Sequence, residues 1–289
     1  MQFPQFKYDF EYSIIDIGEH IKIAYRDEGE GENTLLFIHG LSSYIPAWNK
    51  LIPELSKKNR CIAIDLPGYG KSSQGIFSGS VNYYNSIIFR FIKKMKLENV
   101  TLVGHSMGGH LAMALALAYP DAIKSLILIA PAGLETFTEK EKEWILENSN
   151  PNFYYSAGDE QIINAFKSNF FDMPDDVWQM INDRIDMRGY PNFMDYCHII
   201  SNSLKGLLDE PVNKYLNKIT QPSLIFFGRN DKWIPNKYLH KELTTEDIAN
   251  IGRNMIPKSK VIMLDNCGHF IPYESPEVII KEIEDFLTK

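Results

Sequence analysis

The chain has 289 residues, a length that allows one large α/β domain or two smaller ones. Its hydrophobic fraction of 44% supplies material for a buried core, and its charged fraction of 23% is ordinary for a soluble protein. A net charge of -7 and an isoelectric point near 5.6 give no reason to expect nucleic acid or an anionic membrane as a partner.

The N-terminus and the cysteines bear on cellular location. Residues 1–7 contain no apolar region of a secretory signal, and no apolar run approaches the roughly 18–20 residues of a membrane helix. Cys61, Cys197 and Cys267 are odd in number and widely spaced, which favours reduced thiols over a disulfide framework. No cluster of cysteine and histidine has zinc-ligand spacing. We therefore predict a cytoplasmic protein with no membrane span and no metal.

Most of the chain alternates strand-like apolar runs with amphipathic helical stretches. Residues 11–26 predict two strands joined by a tight turn, and the continuous apolar runs at 34–38 and 61–64 are typical of strands buried on both faces. Ser80 has the chemistry of an N-cap for a helix over 81–95. Further strands are predicted at 100–104, 125–130, 223–227 and 261–264, and a C-terminal helix is predicted from Pro276. This alternation predicts repeated βαβ units and a mostly parallel central sheet flanked by helices.

Residues 134–216 interrupt the alternation. This stretch has no short β-branched runs, only helical patterns rich in aromatic residues and methionine, and prolines divide it into short helices. We predict that it is a helical cap, or lid, inserted between two strands of a core formed by 1–133 and 217–289.

A Gly-x-Ser-x-Gly motif at 104–108 lies between an apolar run and an Ala/Leu-rich helical run. This predicts a strand, a sharp turn with Ser106 at its tip, and a helix, which is how a nucleophilic serine is presented. Glycine is expected at positions 104 and 108 for a steric reason, because side chains there would clash with the strand and the helix. A serine hydroxyl is a poor nucleophile unless a base takes its proton and another group orients that base.

Two later strands end in the residues that such a serine needs. Asp231 follows the strand at 223–227, and His269 follows the strand at 261–264. In an open α/β sheet the carboxyl ends of the strands carry the ligand groups, so these side chains are expected to meet Ser106 at one edge. We predict Ser106, Asp231 and His269 as a catalytic triad. The weaker candidates for the acid are Asp65, Asp209 and Asp265.

Five segments, each at the end of a predicted strand, match the motifs of one family in order. They are His39-Gly40, Asp65-Leu66-Pro67-Gly68-Tyr69-Gly70-Lys71-Ser72, Gly104-His105-Ser106-Met107-Gly108-Gly109, Gly228-Arg229-Asn230-Asp231 and Gly268-His269. On these segments nearly the whole chain resembles the α/β-hydrolases, in particular their capped esterases and C–C-bond hydrolases. The resemblance implies an α/β-hydrolase fold with an inserted helical cap. It also implies Ser106 as nucleophile, His269 as general base and then acid, and Asp231 as the group that orients His269.

The resemblance further implies an oxyanion hole made by the backbone N–H groups of Leu41 and Met107. Met107 begins the helix, where free N–H groups and the helix dipole both favour an anion. No cluster of Lys or Arg lies beside the motifs, so the expected partner is a small-molecule substrate with a largely apolar acyl or aryl group, and no cofactor is needed. The candidate substrate-binding residues are Ser42, His105, Trp233 and Phe270.

Serine carboxylesterase activity on small to medium, largely apolar esters is the first prediction, with catalysis through an acyl-enzyme. The alternative is a C–C-bond hydrolase of dienone-type ring-cleavage products. Such enzymes usually continue the His-Gly segment with another glycine and a proline, where this chain has Leu41-Ser42-Ser43-Tyr44. They also tend to need a basic residue for a substrate carboxylate, for which Arg184 or Arg188 is available.

Other activities, and a function without catalysis, are further alternatives. Amidase, lactonase and thioesterase activities share the same chemistry. Epoxide hydrolases and haloalkane dehalogenases carry Asp at the position of Ser106, which argues against both. From a different class, the chain could be a ligand-binding receptor on a hydrolase scaffold, but a pure binder has no need of all three triad residues. The preferred acyl or alcohol group, the oligomeric state and any movement of the cap are left open.

Overall fold

Residues 6–288 are described by a computed structural model, and the first five residues, on which the predicted lack of a signal partly rests, lie outside them. The strands are β1 (Ser13–Asp16), β2 (Lys22–Glu28), β3 (Thr34–Ile38), β4 (Arg60–Ile64), β5 (Val100–His105), β6 (Ser125–Ile129), β7 (Ser223–Gly228) and β8 (Ser259–Leu264). They form one eight-stranded sheet in the order β1-β2-β4-β3-β5-β6-β7-β8. Only β1 with β2 and β2 with β4 pair antiparallel, so the predicted mostly parallel sheet is confirmed.

Helices cover both the connections of the sheet and the stretch between β6 and β7. Before β6 lie α1 (Ile52–Leu55), α2 (Val81–Lys94) and α3 (Met107–Ala118). Between β6 and β7 lie α4 (Glu139–Glu147), α5 (Pro151–Tyr155), α6 (Asp159–Lys167), α7 (Trp178–Met187) and α8 (Phe193–Asp209). After β7 come α9 (Thr245–Met255), α10 (Ile271–Glu274) and α11 (Pro276–Leu287). The division of the chain into a core and a cap stays a prediction; below, "cap segment" means residues 134–216.

The helix α2 illustrates how local chemistry sets these elements. Ser80 caps it, with its hydroxyl oxygen accepting a hydrogen bond from the Tyr83 N–H at 3.1 Å. Its apolar residues recur at helical spacing, so one face, including Tyr84, Ile88 and Phe91, is buried.

The predicted bounds are wrong by a few residues where hydrophobicity is a poor guide. The strand β8 begins at Ser259, two residues before the predicted start, because Ser259 and Lys260 pair with β7 through the backbone. This strand is an edge strand whose side chains are mostly half-buried, so its apolar run is shorter than its hydrogen-bonded length.

The register of the parallel strands brings their carboxyl ends to one edge. Ile38 of β3 pairs with Gly104 of β5, and Gly228 of β7 pairs with Leu264 of β8. The segments that follow these strands therefore meet above one edge of the sheet. Within residues 6–288, no helix has the length and apolar character needed to cross a membrane.

Candidate active site

Ser106 lies between β5 and α3 in a backbone conformation that few non-glycine residues adopt, with φ +52° and ψ -115°. The glycines around it permit this turn. A Cβ on Gly104 would lie 2.3 Å from the Gly108 carbonyl oxygen, and a Cβ on Gly108 would lie 2.0 Å from the Ile38 carbonyl oxygen. The strand and the helix therefore approach so closely around Ser106 that neither position has space for a side chain.

His269 and Asp231 are joined directly. The His269 Nδ1 lies 2.7 Å from Asp231 Oδ2, and both side chains are buried. The other carboxylate oxygen of Asp231 accepts hydrogen bonds from the N–H groups of Trp233 at 2.7 Å and Ile234 at 3.0 Å. Because these two donors fix the carboxylate, Oδ2 faces the imidazole, which keeps a proton on Nδ1 and leaves Nε2 able to accept one.

The backbone around His269 is held from several sides. The Asn169 carbonyl of the cap segment accepts hydrogen bonds from the His269 N–H at 2.7 Å and the Phe270 N–H at 2.9 Å. Glu274 Oε2 accepts from the Gly268 N–H at 2.7 Å. The carbonyl oxygen of His269 lies 3.0 Å from His105 Nε2, which donates to it. This loop is thus fixed by residues far from it in sequence.

Two backbone N–H groups near Ser106 have no acceptor in the described part of the chain. One belongs to Leu41, in a turn closed by the Ser43 N–H donating to the Gly40 carbonyl at 3.2 Å. The other belongs to Met107, the first residue of α3, whose N–H has no partner within the helix. An ideal Cβ on Gly40 would lie 3.3 Å from Ser106 Cβ, so the first of these segments runs directly beside the serine. This is the arrangement from which an oxyanion hole is built.

Burial keeps two further histidines near the site, His39 and His105, in the neutral form. Complete burial lowers the pKa of His39 to about 4, and its Nε2 accepts from the Leu66 N–H at 3.1 Å. Burial, with smaller contributions from His269 and His39, lowers the pKa of His105 to about 3. A neutral His105 donates from Nε2 to the His269 carbonyl, so it acts on the position of His269.

A cavity of about 1660 Å³ opens over Ser106. The predicted site residues that line it are Leu41, Ser42, His105, Ser106, Met107, Trp233, His269 and Phe270. Asp231 is buried behind His269 and does not line it. Most of the cavity wall is apolar, and much of it comes from the cap segment. Phe270 is a buried wall residue, whereas Trp233 is half-exposed.

Of the two basic residues considered for a substrate carboxylate, the structure brings only Arg184 to the cavity. Arg184 donates to the Ser42 carbonyl, its guanidinium carbon lies 4.7 Å from the centre of the Tyr196 ring, and it forms no ion pair with any carboxylate in the described residues. Arg188 pairs with Asp159 instead. Arg188 lies one helical turn after Arg184, at the C-terminal end of α7, and does not line the cavity.

The weaker candidate aspartates have other partners. Asp65 is fully buried, and burial raises its pKa to about 6. It accepts from Tyr8 Oη at 2.6 Å and from the N–H groups of Ile45 and Lys71 at 2.8 Å each, so it ties loops together. The remaining two form surface ion pairs, Asp209 with Lys205 and Asp265 with Arg229.

Sequence reasoning did not find several residues that support the site. Asn169 and Glu274 accept hydrogen bonds from the backbone of the His269 loop. Tyr44 and Asp183, which both line the cavity, form a hydrogen bond with each other. No motif marks these four residues. The sequence does not distinguish Asp183 from other polar residues of α7, and only the structure shows that it is buried.

Known proteins resemble this chain over most of its length. A hydrolase of 2-hydroxy-6-oxononadienedioate and 2-hydroxy-6-oxononatrienedioate from Paraburkholderia phymatum is 24% identical, over 95% of this chain and 94% of that protein. The structure of a probable hydrolytic enzyme from Pseudomonas aeruginosa PAO1 has a TM-score of 0.85 at 20% identity, covering 98% of this chain and 96% of that one. An esterase from Exiguobacterium antarcticum has a TM-score of 0.79 at 22% identity, covering 96% and 99%.

The family described as the alpha/beta hydrolase fold matches residues 33–276. That range includes all five motif segments and every strand from β3 to β8. The fold predicted from the sequence is therefore confirmed, and the chain belongs to the alpha/beta hydrolase fold family.

Proposed function

We propose that this chain is a serine hydrolase in which Ser106 attacks a carbonyl carbon. Its Oγ adds to that carbon while its proton passes to Nε2 of His269, and Asp231 stabilises the imidazolium that forms. The electron pair of the C=O bond moves to oxygen, and the N–H groups of Leu41 and Met107 donate to the resulting oxyanion. The support for this is the Nδ1–Oδ2 distance of 2.7 Å together with two unpartnered N–H groups beside the serine.

The rest of the cycle uses the same groups. Collapse of the oxyanion re-forms the carbonyl and expels the leaving group, which takes the proton from His269. Water then attacks the acyl-enzyme, giving its proton to His269, and the second collapse releases the acid and returns that proton to Ser106.

Hydrolysis of a C–C bond in a dienone-type ring-cleavage product is the first candidate reaction. The observation that carries it is Arg184, a guanidinium in the cavity wall with no carboxylate partner among the described residues, next to the segment that holds Leu41. A guanidinium in that position is suited to a substrate carboxylate. The Paraburkholderia relative is named for a dioate substrate, which also carries carboxylates. These findings favour the C–C-bond hydrolase over the carboxylesterase.

Hydrolysis of largely apolar esters is the second candidate. The cavity favours it, because its wall is mostly apolar and its volume exceeds the range of about 300–1,000 Å³ that is usual for small-molecule sites. In addition, Leu41-Ser42-Ser43-Tyr44 stands where C–C-bond hydrolases usually have glycine and proline.

A paired assay separates the two reactions. The purified chain is given a dienone ring-cleavage product with a free carboxylate and, separately, p-nitrophenyl butyrate. The variant Arg184→Gln keeps a donor for the Ser42 carbonyl but removes the charge. If the first candidate is right, this variant raises KM for the dienone by about tenfold or more and changes ester hydrolysis by less than about threefold.

Two controls accompany the assay. Arg188→Gln, which removes the neighbouring arginine that pairs with Asp159, should leave both activities unchanged. Ser106→Ala should abolish both, and a variant retaining activity within about tenfold of the wild type would overturn the nucleophile assignment. Turnover of esters with none of the dienone would select the second candidate.

A further inference from the structure

The segment that contains the Leu41 N–H is held by the cap segment as well as by the core. We call residues 40–45 the oxyanion segment. On one side Tyr44 Oη donates a hydrogen bond to Asp183 Oδ2, and Arg184 donates to the Ser42 carbonyl. Asp183 and Arg184 are consecutive residues of α7, although 139 residues separate Tyr44 from Asp183. One short stretch of α7 thus contacts the oxyanion segment twice.

The core holds the two ends of the oxyanion segment. Gly40 packs against His105 and Ser106, where an ideal Cβ would lie 3.0 Å from His105 Nδ1. At the other end, the Ile45 N–H donates to the buried carboxylate of Asp65 at 2.8 Å. Between these anchors, α7 bonds to the segment at Tyr44 and at the Ser42 carbonyl, and the Ser42 side chain also hydrogen-bonds with Tyr196 of α8.

The middle of the segment needs such a restraint. Ser42 has φ +60°, a left-handed conformation that costs a non-glycine residue free energy and persists only where surrounding contacts determine it. It occupies the third position of the turn that runs from Gly40 to Ser43, a position that usually holds glycine when φ is positive. Relaxation of this turn would rotate the neighbouring peptide groups, including the one that carries the Leu41 N–H.

Asp183 is built to hold Tyr44. Its second carboxylate oxygen accepts from Gln179 Nε2 at 2.9 Å, one helical turn earlier on α7. Asp183 and Tyr44 are each only 8% exposed, so removing either partner leaves a buried polar group without its hydrogen bond.

We infer that Asp183 is a positioning residue which, through Tyr44, sets the direction of the Leu41 N–H toward the oxyanion. This inference rests on the proposed function, because it assigns Leu41 to the oxyanion hole. Its consequence is that the catalytic donor is in place only when α7 is docked on the oxyanion segment. The helix that carries the cavity's arginine therefore also controls the oxyanion hole.

The test compares two ligands that differ only in their need for the oxyanion hole. An alkyl trifluoromethyl ketone adds to Ser106 and places a negative oxygen in the hole, whereas the methyl ketone of the same chain binds without forming that adduct. Tyr44→Phe removes the hydroxyl and keeps the ring. We expect this variant to weaken inhibition by the trifluoromethyl ketone about tenfold and to lower kcat by a similar factor, with inhibition by the methyl ketone within about twofold.

A matched control is provided by Tyr69→Phe. Tyr69 Oη donates to Ser203 Oγ of α8 at 2.9 Å, so this variant also removes a buried tyrosine hydroxyl that bonds to the cap segment. It should leave the ratio of the two inhibition constants unchanged. Asp183→Asn retains an acceptor for Tyr44 and should restore most of what Asp183→Ala loses, which a general loss of folding would not reproduce.

The outcomes are distinct. Equal losses for both ketones in Tyr44→Phe, or no loss for either, would overturn the positioning role. A wild-type chain that is not inhibited by the trifluoromethyl ketone, or a Ser106→Ala variant that binds it equally well, would overturn the proposed function itself.

Discussion

The replacement of Asp231 by asparagine probes the proposed mechanism at its most constrained point. Asp231 Oδ1 accepts two backbone N–H groups, at 2.7 Å and 3.0 Å, and Oδ2 lies 2.7 Å from His269 Nδ1. An asparagine can keep its carbonyl oxygen on the two N–H donors, which places its NH2 group against the imidazole. The opposite orientation sets the NH2 group against two N–H donors and is disfavoured.

The consequence is a change of tautomer. With an NH2 donor facing it, His269 Nδ1 must be the acceptor, so its proton moves to Nε2, which then cannot take the proton of Ser106. We expect Asp231→Asn to lower kcat/KM on the order of a thousandfold or more, which corresponds to about 4 kcal/mol or more of transition-state stabilisation. Because the shapes match and no charge is left unpaired, the melting temperature should change little.

The assay measures kcat/KM for the better of the two substrates proposed above, with a thermal melt on the same preparation. Asp209→Asn and Asp265→Asn are the controls, since each removes a carboxylate that forms a surface ion pair and should leave the rate unchanged. Activity within about tenfold of the wild type in Asp231→Asn would refute the tautomer argument. A large loss in Asp209→Asn or Asp265→Asn would show that the acid has been misassigned.

Two further predictions concern stability. Gly108→Ala places a Cβ 2.0 Å from the Ile38 carbonyl oxygen, so it should lower the free energy of unfolding, measured in urea, by about 2 kcal/mol or more. Gly158→Ala is the control, because its Cβ meets nothing closer than 4.0 Å and should not lower that free energy comparably. Equal stability of the two variants would contradict the packing argument. Burial lowers the pKa of His110 from 6.5 to about 4, so the unfolded chain binds that proton more tightly and folded stability falls as the pH falls below 6.5. Between about pH 7 and pH 5, protonation linked to this histidine should lower the free energy of unfolding by about 2 kcal/mol. His110→Gln retains a donor for the Glu210 carbonyl, and urea unfolding curves of this variant should lack that loss. An unchanged pH dependence in the variant would show that the buried imidazole is not its source.

The strands, the turn at Ser106 and the family could be predicted from the sequence because their signals are local. Apolar runs such as Thr34–Ile38 mark strands that are buried on both faces, and the glycines around Ser106 reflect contacts within a few residues of the chain. The edge strand β8 was predicted too short because its first residues are held by backbone pairing and not by burial. The triad and the oxyanion donors stay predictions, which the variants described above test.

The supporting contacts depend on packing between distant parts of the chain. The Asn169 carbonyl meets the His269 N–H across 100 residues, and Tyr44 meets Asp183 across 139. Such pairs leave no periodic pattern, since each partner is an ordinary polar residue until the cap segment docks on the sheet edge. The sequence likewise does not decide whether Arg184 or Arg188 is available for a substrate carboxylate, because it does not show that Arg184 reaches Ser42 and that Arg188 pairs with Asp159. The sequence by itself thus determined the sheet, the turn and the family, because neighbouring residues encode them, whereas only the tertiary structure decided which polar side chains of the cap segment reach the site.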